Sequence, residues 1–130
     1  MKNSSKRKKL KLARSELSDG KSIALNLQLN KGSRPFEHLQ RIHDTLQEII
    51  RNLLNDDIAG PLVLVGGDTA LKVVQQTEAK AIQILGEVEL GIPYGRWIGG
   101  KLESYPLVTK AGGFGHKETL CKIMQFLKQN

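Results

Sequence analysis

Apolar residues recur at Phe36, Leu39, Ile42, Leu46, Ile49, Ile50, Leu53 and Leu54. That three-to-four spacing lays one stripe along a helix. Pro35, after the loop "NKGSRP", suits its first turn, and "NDDIAGP" marks its end. Upstream, Leu10, Ala13 and Leu17 share a helical face that stops at "SDG", residues 18–20. "KSIALNLQL", residues 21–29, alternates Ile23, Leu25, Leu27 and Leu29 with small or polar residues and predicts a strand. Downstream, "LVLV" at 62–65 is an unbroken apolar run, as in a strand covered on both faces. Asp68 or Thr69 is placed to cap a helix carrying Ala70, Leu71, Val73 and Val74. Residues 81–90 return to strand character. "GIPYG" predicts a turn, "RWIGG" a short strand and "LVTK", residues 107–110, another. Leu120, Ile123, Met124 and Leu127 give a closing helix. The alternation predicts an α/β layered domain, its largely parallel or mixed sheet flanked by helices.

Composition narrows this little. At 130 residues, 39% apolar and 25% charged, the chain reads as one soluble domain with a real core. No apolar run approaches the roughly 20 residues that span a membrane, and the basic start lacks the apolar stretch of a secretory signal. One cysteine, Cys121, excludes an internal disulfide and a multi-cysteine zinc site. A cytoplasmic setting is expected.

The net charge of +7 changes meaning once it is located. Seven basic residues (Lys2, Lys6, Arg7, Lys8, Lys9, Lys11 and Arg14) lie in residues 1–14 without an acid, and the remaining 116 residues balance thirteen basic with thirteen acidic side chains. The sequence therefore divides into a basic segment, 1–14, and a neutral body, 15–130. Such a cluster can bind polyanions, but it holds no aromatic residue to stack a base. A solvated terminus or helix face is the stronger expectation. The rival function is a non-enzymatic module whose basic tail binds nucleic acid or an acidic partner.

Glycine carries the chemical signal. Eleven of the thirteen glycines lie between Gly60 and Gly115, clustered where strands give way to helices. Those junctions sit at the carboxyl edge of an open α/β sheet, where ligands bind. Free N–H groups there favour anions, phosphates above all. Gly66 and Gly67 before "DTA", and Gly112, Gly113 and Gly115 in "AGGFG", meet that description; both can also be plain tight turns. Neither is a Walker A loop or a GxGxxG fingerprint. Lys110 can reach a phosphate as a point charge or end its strand in solvent. Asp68, beside Thr69, can cap a helix, face a nucleotide through magnesium, or both.

The other candidates are weaker. His38 and His43 are poorly spaced for a shared metal, and His116 is a lone histidine after the glycines. Glu87 and Glu89 share a strand face without a third ligand, so no metal site and no catalytic residue is assigned. Cys121 reads as packing in an amphipathic helix.

"VGGDTA", "GEVELGIPYG" and "VTKAGGFG", in that order, resemble the nucleotide-binding C-terminal domain of the four-carbon acid sugar kinases. That family includes threonate, erythronate and 3-oxo-tetronate kinases. The resemblance runs over roughly residues 15–126. It implies a two-domain α/β kinase, with an N-terminal domain for the sugar acid and a C-terminal domain for ATP and magnesium. Gly67, Gly112 and Gly113 then fall where the family contacts nucleotide. Two family features have no counterpart: the substrate domain, and a Gly-Ser-rich strand end with its helix, expected before Lys2. Residues 15–130 are accordingly expected to be part of a nucleotide-binding domain. A sugar acid would bind only with the missing N-terminal domain, which a split-subunit partner can supply.

Overall fold

The computed structural model describes residues 2–26, 35–55, 58 and 60–130. It forms two compact units, Met1–Ile58 and Ala59–Asn130. In the first, helix α1 (Lys2–Ser18) contacts helix α2 (Pro35–Asn55). Gly20 ends α1 at φ 78°, while the Lys21 N–H donates to the Glu16 carbonyl at 3.0 Å. Ala13 is buried, whereas Arg7, Lys8, Lys9 and Lys11 are exposed. The described basic side chains of this segment thus stand exposed on a helix. Along α2, Leu46, Ile49, Ile50, Leu53 and Leu54 are buried, and that spacing makes a single stripe.

Residues 21–26 do not form the expected strand. Leu25 is exposed, and residues 27–29 lie outside the described residues. Alternation permits a strand, but pairing makes one, and among the described residues no strand pairs with 21–26.

The second unit runs β1 (Leu62–Val65), α3 (Gly67–Thr77), β2 (Ala81–Glu89), β3 (Ile92–Ile98), β4 (Pro106–Lys110) and α4 (Thr119–Gln129). Its sheet has the order β1-β4-β3-β2. Only β1 and β4 pair in parallel; β4–β3 and β3–β2 are antiparallel. The α/β expectation holds, with the sheet mixed. Ile92, Val108 and Ile123 are fully buried together, with Val63, Val88, Tyr94 and Leu127 packed against them. Each such burial contributes about 1.5–3 kcal/mol relative to exposure, fixing α4 on one sheet face. Tyr94 and Phe126 add a tilted ring contact at 4.5 Å.

Three local expectations change. β1 is an edge strand, so Val65 is exposed and only Leu64 is fully covered. "GIPYG" is strand from Ile92 onward; the turn is Leu90-Gly91. Pro93 is tolerated because it lies opposite Glu87, beside a register shift. Cys121 is exposed and not packed, because it stands about 200° around α4 from buried Ile123.

Candidate functional site

The parallel pair sets the geometry. Val65 registers with Lys110, so both strands finish at one edge and release their glycine turns side by side. The Gly66 N–H donates to the Lys110 carbonyl at 2.8 Å, tying the two exits together. Gly66, Gly67, Asp68 and Thr69 on one side, and Lys110, Gly112 and Gly113 on the other, therefore leave adjacent strand ends. Lys110 Nζ bends over its own turn, donating to the Ala111 and Gly112 carbonyls at 3.1 and 3.4 Å.

Neither Asp68 nor Thr69 caps α3. The N-cap is Gly66, at φ 95°, and no side chain caps the helix. Gly66 is needed there because a Cβ is strained at that φ. Its carbonyl accepts from the Ala70 N–H at 3.0 Å, which leaves the N–H groups of Gly67, Asp68 and Thr69 without intrahelical partners. Asp68 instead lies exposed in the first helical turn. Such an uncapped, positive helix end attracts anions.

The second turn is built differently from expectation. Gly112 and Gly113 are not at the N-terminus of α4, which begins only at Thr119. They form a turn closed by the Phe114 N–H donating to the Ala111 carbonyl at 3.2 Å. A Cβ added at Gly67, Gly112 or Gly113 would meet nothing within 4 Å, and none of the three has a positive φ. Neither backbone conformation nor packing requires glycine at these positions. Gly115 is the opposite case: its φ is 94°, and a Cβ would press on Thr119 Oγ1 at 2.7 Å.

A cluster that the sequence did not reveal closes the far end of this loop. Thr119 Oγ1 donates to Glu89 Oε1 at 2.5 Å and accepts from the His116 N–H at 2.8 Å. His116 Nε2 and Lys122 Nζ lie 3.3 and 3.5 Å from Glu89 Oε2. The Glu118 N–H donates to His116 Nδ1 at 3.3 Å, so the other ring nitrogen carries the proton that faces Glu89. Glu89, on β2, is far in sequence from Thr119 and Lys122 on α4, and the three match no motif.

The Thr119 hydroxyl bond lowers the Glu89 pKa below its ordinary 4.5; burial opposes this, and attraction to His116 and Lys122 reinforces it. A carboxylate with a lowered folded-state pKa stabilises the fold fully above its ordinary value, and that contribution fades as pH falls through the folded one. Glu89→Gln is therefore expected to lower the melting temperature at neutral pH, with the gap to the unsubstituted protein closing below pH 4.5. A gap constant from pH 7 to strongly acidic conditions would contradict this assignment.

Among the described residues, no three His, Cys, Asp or Glu side chains converge to hold a metal ion. None of the described helices is long and apolar enough to cross a membrane.

Comparison with known proteins bears on the family of the chain. A family model described as "Nucleotide-binding C-terminal domain" matches residues 5–120. The chain is 32% identical over 90 residues to a D-threonate kinase of Salmonella typhimurium, covering 69% of this chain and 21% of that protein. It is 33% identical over 93 residues to a D-erythronate kinase of Heliobacterium modesticaldum, covering 70% and 21%. A citrate-bound, domain-swapped dimer from Bordetella bronchiseptica superposes with a TM-score of 0.67 at 27% identity, over 91% of this chain and 30% of that one. The chain thus spans about a fifth of the length of the curated relatives it matches.

Proposed function

The chain belongs to the nucleotide-binding C-terminal domain family, and on that premise we propose that it is the ATP-holding part of a four-carbon acid sugar kinase. The observation that supports this most is the pairing of β1 with β4, which sets two glycine turns at one sheet edge. In this proposal the free N–H groups of Gly67, Asp68 and Thr69 donate to phosphate oxygens. Gly112 and Gly113 let backbone approach the nucleotide where a side chain would stand in the way. Lys110 supplies a point charge beside them. Gly66 and Gly115 hold the two turns in shape.

Magnesium fits this donor set. It takes one or two carboxylates and completes its shell with substrate phosphates and water, and Asp68 offers an exposed carboxylate in the first turn of α3. When bound, the ion would offset phosphate charge. The reaction would move the γ-phosphoryl group to a sugar-acid hydroxyl, catalysed by positioning and electrostatics. The acceptor would come from a family N-terminal half, in the same polypeptide or as a separate subunit. A cytoplasmic setting suits a chain whose lone cysteine is exposed.

Titration calorimetry with magnesium-ADP or magnesium-ATP tests the nucleotide claim. One saturable site per chain is expected; no heat at millimolar nucleotide from a folded sample would refute it.

A further inference from the structure

The loop between β4 and α4 carries the second glycine turn, and its far end is fastened to the β2–β3 turn at two points. The Phe114 ring lies over Gly91, so closely that a Cβ there would come within 2.6 Å of its Cδ1. Two residues further on, Glu89 receives His116, Thr119 and Lys122. Glu89 and Gly91 flank Leu90, so both fastenings fall on one short turn, itself steadied by the Gly91 N–H donating to Glu87 Oε1 at 3.3 Å. Gly112 and Gly113 between these anchors have no side chain and nothing packed against their Cβ positions. A segment of this kind has the most conformational freedom to lose when it orders around a ligand. Its geometry is set by what grips its ends: β4 on one side, and the Glu89 cluster on the other.

We propose that Glu89 is a positioning residue for the nucleotide site, acting through Thr119 and His116 to hold the Gly112–Gly113 turn in register with the start of α3. The inference rests on the nucleotide assignment above and adds to it a residue from a strand that does not border the site. Glu89 touches no phosphate in this scheme. It anchors the exit of the loop, so that Gly112 and Gly113 meet a nucleotide already close to their bound geometry. Preorganisation of this kind improves affinity by reducing the ordering that binding demands. It also gives a reason for the two sequence stretches "VELG" and "AGGFGH" to occur together: they are the two sides of one contact.

Thr119 allows the role to be separated from packing, because it is fully buried and valine has nearly its shape without the hydroxyl. Thr119→Val should speed amide hydrogen exchange at residues 112–116 and raise the Kd for magnesium-ADP by roughly two- to tenfold, as expected when binding must itself order the loosened loop. Thr119→Ser keeps the hydroxyl and should return both values close to those of the unsubstituted protein. Glu89→Gln, measured the same way, provides a second substitution that disturbs no packing. If only packing matters, serine is the worse replacement and valine the milder one; that order would overturn the proposal. So would unchanged affinity in Thr119→Val and Glu89→Gln when the unsubstituted protein binds nucleotide. Absence of binding by the unsubstituted protein would instead defeat the nucleotide assignment, and the positioning role with it.

Discussion

Supplied with ATP and threonate or erythronate, the chain alone is expected to release no ADP above background, and to gain sugar-dependent turnover only when a family N-terminal half is added. Phosphoryl transfer needs the acceptor hydroxyl held in line with the γ-phosphate, and a misplacement of 1 Å can lower the rate by about 100-fold. The described residues offer little to grip a sugar-acid carboxylate. In the neutral body, Arg96 Nε already donates to Gln83 Oε1 at 2.9 Å, and Lys101 stands exposed beyond the end of β3. The match covers only 21% of each of these kinase relatives. A coupled ADP-release assay across several four-carbon acids checks the expectation. Robust sugar-dependent turnover by the chain alone would place the acceptor site within these residues and overturn this division of labour.

The next largest effect is expected at Gly113. Valine there adds a Cβ and two methyl groups to open space, so the fold itself loses little. Surface substitutions of this kind usually change stability by no more than about 0.5 kcal/mol, a few degrees in melting temperature for a domain of this size. A phosphate lying against that backbone would be displaced, so nucleotide affinity should fall by at least about tenfold, or 1.4 kcal/mol. Gly115→Ala provides the contrast: its φ of 94° and the contact with Thr119 predict lost stability first. Gly60→Ala, with open space and no positive φ, serves as the neutral control. Calorimetry and thermal melting on the three variants separate ligand contact from turn geometry. If Gly113→Val melts lower and binds normally per folded molecule, the turn is structural only.

The legible parts of this molecule were those written in local pattern. The α2 stripe, the "LVLV" strand and both glycine turns follow from residues within one or two turns of each other. Strand order does not, and here it decides the site. Nothing around residues 106–110 announces that β4 inserts beside β1, yet that pairing brings Gly66 and Lys110 into hydrogen-bond contact. The same topology makes β1 an edge, which is why Val65 is exposed despite an unbroken apolar run. Residues 21–26 show the reverse failure, a strand-like alternation that pairs with no strand among the described residues. Asp68 looked like a cap because its residue type favours caps, but Gly66 had already turned the chain into the helix. The Glu89 cluster was least visible. Its carboxylate stands on β2 and its partners gather around the start of α4, so no local pattern joins them.

The central claim is that the two glycine turns at the β1–β4 edge form one nucleotide site. An amide-resolved NMR titration with magnesium-ADP tests it most directly. The account predicts that amides of residues 66–69 and 110–113 shift together, along a single saturation curve, while those of α1 stay in place. A folded sample with no shifts at millimolar nucleotide, or with shifts confined to the basic residues of α1, would contradict it.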